Sequence, residues 1–164
     1  MSEFSPEETR RLRRLLDEDD IRRLAMFYSH FQDHGWVDRL REVFTDDIEC
    51  EFGPYGHWKG IDEVIKNFHG VKKNLGDAPF CAMHANTFHW IEFIDSSEAV
   101  GRRQLLDFLL TRQPDEQPLL WLGIYEDRYR KEHGRWRISH MRLEFLWPER
   151  HTSEGFPKPF PPSS

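Results

Sequence analysis

The chain has 164 residues, which is typical of one domain with a sizeable core. Its formal net charge of −6 argues against a nucleic-acid or anionic-membrane partner, because such partners favour a basic protein surface. No apolar run in the sequence approaches the roughly 18 residues that a membrane-spanning helix requires.

Cysteine and aromatic content narrow the class further. The only two cysteines are Cys50 and Cys81, and the sequence shows no charged-then-apolar leader, so we expect free thiols in a reducing cytoplasm. The chain contains 13 Phe, 6 Trp and 4 Tyr. That many rings either fill a core or line a pocket for a flat apolar ligand.

The N-terminal segment predicts two consecutive helices. Ser5 and Glu8 have the spacing of a capping box, with Pro6 at the first helical position. Three leucines are expected to point inward from this first helix: Leu12, Leu15 and Leu16. The acidic residues at 17–20 predict a break, followed by a second helix whose N-terminus they stabilise.

The second helix carries the first candidate site. Apolar residues follow helical spacing along one face: Ile21, Leu24, Ala25, Tyr28 and Phe31. Gly35 is a good left-handed cap, so the helix should end near Asp33. The negative end of the helix dipole and apolar surroundings would make Asp33 a stronger base than a solvated aspartate. Two interpretations stay open: a functional Tyr–Asp pair, or a core tyrosine beside an aspartate that satisfies a turn.

The remaining elements predict an α+β domain. A short helix, a short strand ending at Gly53-Pro54 and a helix from residue 61 come first. Long strands are expected at 80–94, 99–111, 119–132 and 135–147. Helices that precede an antiparallel sheet are typical of α+β folds. We therefore expect a single domain at 1–147 and a proline-rich tail at 148–164, whose Phe156 and Phe160 either dock over a pocket mouth or a neighbouring subunit, or stay loosely attached.

Strand alternation separates the two histidines of the first long strand. If no bulge intervenes, His84 shares a face with Ala82, Asn86 and Phe88, while His89 lies on the opposite face. The two histidines then cannot bind one metal ion together. No Cys-x-x-Cys or His-Glu-x-x-His motif is present, so we expect no metal site and no cofactor.

Three segments carry a resemblance to a known family. The early YSHFQDHGW, the following F-x-x-D-I-x-x-x-F and the late GRWRI occur in an order that resembles the SnoaL-like branch of the nuclear-transport-factor-two-like superfamily. Scytalone dehydratase, lindane dehydrochlorinase, bile-acid dehydratases and SnoaL-type polyketide cyclases belong to this branch. The resemblance covers residues 17–147. It implies a cone-shaped barrel in which N-terminal helices pack in a strongly curved antiparallel sheet around one deep pocket.

The resemblance also implies a set of site residues. His84 matches the catalytic histidine of the family, and Tyr28 and Asp33 match the Tyr and Asp of the bile-acid dehydratases. These three are the expected catalytic residues. The expected substrate-binding residues are Asp107, Arg142, Phe88 and Trp36. The asparagine that the family often places four residues after the histidine is absent here, since Phe88 occupies that position.

Such a constellation supports proton abstraction from carbon. An aspartate bonded to one imidazole nitrogen fixes the tautomer and raises the basicity of the other nitrogen. Tyr28, with Arg142 as a weaker second candidate, would stabilise the developing oxyanion. The sequence thus favours a cofactor-free lyase or isomerase, a dehydratase or cyclase, acting on a polycyclic or aromatic small molecule such as a polyketide- or steroid-like compound.

The alternative is a non-catalytic binding or assembly module, similar to the small subunits of ring-hydroxylating dioxygenases. Asp33 and His84 within hydrogen-bond reach in a closed apolar pocket would favour the enzyme. In either case we expect a homo-oligomer, a dimer or trimer, which light scattering would test. The residues expected to be largely buried are Leu24, Phe31, Phe44, Ile65, Phe88, Trp136 and Ile138.

Overall fold

The computed structural model describes residues 4–76 and 78–160; the predictions for residues 1–3, 77 and 161–164 lie outside this range. The helices are α1 (Pro6–His34) and α2 (Ile61–Leu75), with a 3₁₀ helix at Val37–Glu42. The strands are β1 (Phe44–Glu51), β2 (His57–Lys59), β3 (Ala82–Phe93), β4 (Glu98–Leu109), β5 (Leu119–Glu132) and β6 (Arg135–Trp147). No described helix combines the length and the apolar character needed to cross a membrane.

A single helix, α1, replaces the two helices predicted for the N-terminal segment. The capping box of Ser5 and Glu8 is present and starts the helix as predicted. The predicted break at residues 17–20 is wrong, because Asp17 stays helical and accepts hydrogen bonds from Lys131 and from the Trp136 indole. Burial on α1 begins only at Ile21. The three leucines expected to point inward are exposed instead: Leu12, Leu15 and Leu16.

The six strands form one curved, open sheet in the order β2-β1-β6-β5-β4-β3. All neighbouring pairs are antiparallel except β1 and β6, which run parallel, so the sheet is mixed. The α+β architecture with helices against a curved sheet is confirmed. Helix α1 packs against β3 and β6, and α2 against β1. The core lies between these helices and the concave face of the sheet.

A bulge in β3 changes which side chains face inward. Thr87 pairs with Gln104 and Trp90 with Arg102, so two residues of β3 oppose one residue of β4. The extra residue turns the strand over, as a bulge does. Phe88 has a positive φ of 49° and is 82% exposed, so its predicted burial is wrong. His89, expected on the opposite face from His84, turns inward, and its Nε2 lies 3.0 Å from the Tyr129 hydroxyl.

A second bulge, in β6, has the same effect on Arg142. Tyr129 pairs with Ile138 and Arg128 with His140, which leaves Ser139 unpaired. Ile138 is therefore buried in the concave face, whereas His140 and Arg142 lie on the convex face, where both contact Glu51. Uninterrupted alternation would place Arg142 on the same face as Ile138, and the bulge removes that alternation.

The remaining core predictions are confirmed. The side chains expected in the core and found buried are Leu24, Phe31, Phe44, Ile65, Trp136 and Ile138. Cys50 and Cys81 are buried free thiols.

Beyond β6, the chain forms an isolated bridge between Phe145 and His151. The tail then crosses the convex face, where the Phe160 ring packs edge-on against Trp90 with 5.0 Å between centroids.

Candidate active site

One cavity of about 330 Å³ lies between the two helices and the concave face of the sheet. Its wall is mainly aromatic and aliphatic. The apolar residues that line it include Phe52, Tyr55, Trp58, Phe68, Val71, Leu105, Trp121, Leu143 and Phe145. Polar groups reach the cavity from Tyr28, Gln32, Lys72, His84, Asp107 and Tyr125. An apolar wall with a few polar groups is the usual build of a small-molecule site.

Asp33 and His84 form a hydrogen-bonded pair, of which His84 lines this cavity. Asp33 sits in the last turn of α1, which Gly35 ends with a positive φ of 71°. Its Oδ1 lies 2.7 Å from Nδ1 of His84, and the backbone N–H of His84 also donates to Asp33 Oδ1, at 3.1 Å. A carboxylate at Nδ1 requires the proton on that nitrogen. The lone pair of the neutral ring therefore belongs to Nε2.

The pairing of β3 with β4 places Asp107 next to His84. The two residues are paired across β3 and β4, and Asp107 Oδ2 lies 3.8 Å from His84 Nε2. The other oxygen, Oδ1, is buried without a hydrogen-bond partner among the described residues. Burial raises the pKa of Asp107, the charge of His84 lowers it and the charge of Asp33 raises it, with a net increase. A raised pKa favours the neutral acid, which is a proton donor.

The pKa of His84 is set by opposing effects. Burial lowers the pKa of His84, but the charge of Asp107, and the hydrogen bond and charge of Asp33, raise it above the ordinary value of 6.5. Asp33, together with Asp107 in its ionised form, thus stabilises the imidazolium ion in a buried position. A histidine whose cation is stabilised in this way is a stronger base than one in water.

Two tyrosines lie beside the Asp33–His84 pair. The Tyr28 ring is edge-on to His84, with 6.4 Å between ring centroids, and edge-on to Tyr125, with 6.0 Å. Burial raises the pKa of both phenols, so both keep their protons and act as donors. The sequence reasoning missed Tyr125. Its pairing with Arg103 across β4 and β5 depends on strand register, which the sequence alone did not supply.

A buried polar network supports these tyrosines. Arg103 is fully buried, its guanidinium lies 3.8 Å from the centroid of Tyr125, and its Nε donates to Asp127 Oδ2 at 2.8 Å. Arg103 Nη1 donates to Asn86, whose amide donates to Ser29 on α1. The network therefore joins α1, β3, β4 and β5. It fixes the side chains from which the cavity floor is built.

Two other expected binding residues, besides Arg142, lie away from this cavity. Trp36 is half-exposed and packs on His34, with 4.4 Å between ring centroids. Phe88 projects from the bulge toward the outside. None of Trp36, Phe88 and Arg142 contributes to the cavity wall.

The described residues contain no cluster of three or more His, Cys, Asp or Glu side chains arranged to hold a metal ion. This holds although the bulge brings His89 to the same face as His84. Burial lowers the pKa of His89 to about 4, so this second histidine is neutral at neutral pH.

Comparisons with known proteins agree with this architecture. The family model of the SnoaL-like domain matches residues 13–142. A scytalone dehydratase candidate from Novosphingobium aromaticivorans DSM 12444 is 23% identical, with a TM-score of 0.73 over 87% of this chain and 96% of that one. An NTF2-like protein with a cystatin-like fold from the same source organism is 18% identical, with a TM-score of 0.75 over 91% and 94% of the two chains.

A third similar structure is a hexachlorocyclohexane dehydrochlorinase, LinA-type3, from Novosphingobium barchaimii LL02. It is 18% identical, with a TM-score of 0.69 over 88% of this chain and 94% of that one. No curated protein matched the sequence. At these identities the structural likeness establishes the NTF2-like fold, and function has to be argued from the site.

Proposed function

The chain belongs to the SnoaL-like family, and from that premise we propose that it is a cofactor-free lyase or isomerase that removes a proton from carbon. The observation that carries the proposal is that His84, which lines an apolar cavity, is hydrogen-bonded to Asp33, with 2.7 Å between Asp33 Oδ1 and His84 Nδ1. Asp33 orients the ring and His84 Nε2 is the base. Tyr28 donates to the developing oxyanion, and Asp107 is the acid.

The steps balance without a redox partner. His84 Nε2 takes a proton from the carbon next to a carbonyl group, and the electron pair moves to the carbonyl oxygen, where the Tyr28 hydroxyl stabilises it. In a dehydration, the electron pair on the carbonyl oxygen then re-forms the carbonyl group, and the bond to the β-hydroxyl breaks. The hydroxyl takes the proton of Asp107 and leaves as water. The proton on His84 then passes to Asp107, whose Oδ2 lies 3.8 Å from Nε2, through the released water, and the starting state is restored.

The same base supports three reactions that differ only in the destination of the electron pair. Loss of a β-hydroxyl is dehydration, return of a proton at another carbon is isomerisation, and attack on a second carbonyl is cyclisation. The aromatic wall and the volume of about 330 Å³ support a flat, mainly apolar substrate, such as a polyketide- or steroid-like ring system.

A test that does not require the natural substrate is hydrogen exchange on 1-tetralone, a flat bicyclic ketone. Incubation in D₂O, followed by NMR of the protons next to the carbonyl, measures proton abstraction directly. We expect the wild-type protein to catalyse exchange and His84→Ala to lower the rate by about 10²–10⁴-fold, the usual contribution of general acid–base catalysis.

The matched control is His140→Ala, which removes a histidine bonded to a carboxylate on the convex face. This variant should exchange at the wild-type rate. A parallel panel of flat β-hydroxy ketones, followed by absorbance of the conjugated product, tests dehydration. Equal rates for the wild type and His84→Ala on every compound would contradict the proposal and favour the non-catalytic binding or assembly module.

A further inference from the structure

The cavity has one strongly basic group, and it lies at the helix side of the wall. Lys72 is the only lysine or arginine among the described residues that line the cavity. It belongs to the last two turns of α2, next to Val71 and one turn before Leu75, which also line the wall. Desolvation of the Lys72 ammonium costs free energy, and a neutral apolar ligand would not compensate for that cost.

The path of Lys72 depends on Gly35, the residue that ends α1. A Cβ atom built on Gly35 would lie 2.7 Å from Cε of Lys72, so the end of the lysine side chain crosses this turn and would have to move if Gly35 were replaced. The ammonium donates to the carbonyl of Ala78 at 2.6 Å. An ammonium has three N–H donors, and a single carbonyl uses only one of them.

Gln32 provides a second donor on the same wall. Its Nε2 is buried and has no hydrogen-bond partner among the described residues. The backbone N–H of Gly35 donates to the carbonyl of Gln32 at 3.0 Å, so Gln32 and Lys72 flank the same turn. A buried amide donor without a partner is costly unless a ligand satisfies it.

We propose that Lys72 and Gln32 form a carboxylate-binding subsite, and that the substrate is a flat apolar molecule bearing a carboxylate. This inference rests on the proposed function, since it assumes that the cavity holds the substrate. An ammonium and an amide N–H are both donors, which suits the acceptor oxygens of a carboxylate.

Charge distribution along the cavity fixes the direction of such a substrate. Asp33 carries its charge beside His84, and it repels a carboxylate from the base. Lys72, which lines the same cavity, attracts the carboxylate. The apolar rings then extend toward His84 Nε2. The subsite therefore selects one of the two orientations in which a flat molecule fits.

The probes for a test are 2-naphthoate and its neutral counterpart 2-acetonaphthone, which share one ring system. Quenching of tryptophan fluorescence reports binding, since Trp58 and Trp121 line the cavity. In the wild-type protein we expect 2-naphthoate to bind about tenfold more tightly than 2-acetonaphthone, as a charge-assisted contact of a half-buried lysine would give. Lys72→Gln should abolish this preference and leave the affinity for 2-acetonaphthone unchanged.

The control is Lys73→Gln, which removes the same charge from an exposed neighbour outside the cavity wall and should retain the preference. Gln32→Leu should reduce it by about threefold. Repeating the measurement in His84→Ala separates the two proposals, because that protein lacks the base but keeps the subsite. The subsite is overturned if the wild-type protein shows no preference for 2-naphthoate, which includes failure to bind either probe. It is also overturned if the preference survives Lys72→Gln.

Discussion

Two histidine–carboxylate pairs lie on opposite faces of the same sheet, and their surroundings differ. On the concave face, Asp33 bonds His84 at 2.7 Å beside the apolar cavity and a second carboxylate, Asp107. On the convex face, Glu51 bonds His140 at 2.6 Å, and Arg142 donates to the same oxygen at 2.6 Å. Residue types and distances are nearly equal, so they cannot by themselves identify the site.

The neighbouring charge separates the two pairs. Burial raises the pKa of Glu51, but the hydrogen bonds and charges of Arg142 and His140 lower it by more, and the net pKa is about 2. This carboxylate therefore stays ionised over the physiological range. Burial instead dominates at Asp107 and raises its pKa, with no arginine to oppose it. A raised pKa at Asp107 suits the proton transfer that we propose for the concave face, whereas Glu51 on the convex face keeps its charge.

The largest expected contrast between the faces is in stability. Arg103→Met leaves the fully buried Asp127 without its cation and should lower the free energy of unfolding by about 3–5 kcal/mol. Arg142→Met leaves Glu51 half-buried and still bonded to His140, so the loss should be about 1 kcal/mol. Urea denaturation of both variants measures this difference. Equal losses would mean that the concave network carries no special structural role.

A smaller contrast is expected in catalysis. Asp33→Asn keeps the shape of the pair but removes the charge that raises the basicity of His84, so the exchange rate on 1-tetralone should fall by about 10–10²-fold. Glu51→Gln makes the same chemical change at the convex pair and should leave the rate within twofold. If Glu51→Gln lowers the rate as much as Asp33→Asn, the distinction between the two faces is lost.

The smallest expected effect is a shift in pH dependence. The base must be neutral, so the exchange rate should fall as the pH drops through the pKa of His84, which lies above 6.5. The charge of Asp107 contributes to that increase, so Asp107→Asn should lower the pKa of His84 and move the midpoint to lower pH. NMR titration of the imidazole protons measures the pKa of His84 in the wild type and in Asp107→Asn, and the spectrum of His84→Ala assigns the signal.

Glu126→Gln is the matched control, because Glu126 pairs with Arg102 rather than with His84. This variant should titrate like the wild type. An Asp107→Asn variant with an unchanged His84 midpoint would show that Asp107 is neutral over the whole titration and exerts no charge on the ring.

Local patterns predicted the parts of the fold that local geometry controls. The bounds of β5 and β6 agree with the alternation and turn signals in the sequence, and the end of α1 follows from Gly35. The likeness to a family placed Asp33 and His84 on elements that the structure brings into contact. The element bounds follow from helical and strand periodicity, whereas the Asp33–His84 pair was implied only by the resemblance.

The errors arose where a distant element decides the outcome. One extra residue at Phe88 and another at Ser139 reverse the side-chain alternation, and neither is visible without the partner strand. Leu12, Leu15 and Leu16 have helical spacing, but the buried part of α1 begins at Ile21, so periodicity could not show where the contact with the sheet ends. Tyr125 was missed for the same reason, since strand register alone places it beside Tyr28.

Gly35 has an evolutionary consequence. Its left-handed backbone ends the helix that presents Asp33, and its missing Cβ leaves the path along which Lys72 runs. Any other residue there would strain the cap by roughly 1–2 kcal/mol and displace the lysine in one step. Selection on this position would therefore act on stability, on the orientation of the proposed base and on the proposed charge preference together. Related proteins that adapt to uncharged substrates should therefore keep the glycine. They should change residue 72 or 32 instead, because a change there alters the charge preference separately from stability and base orientation.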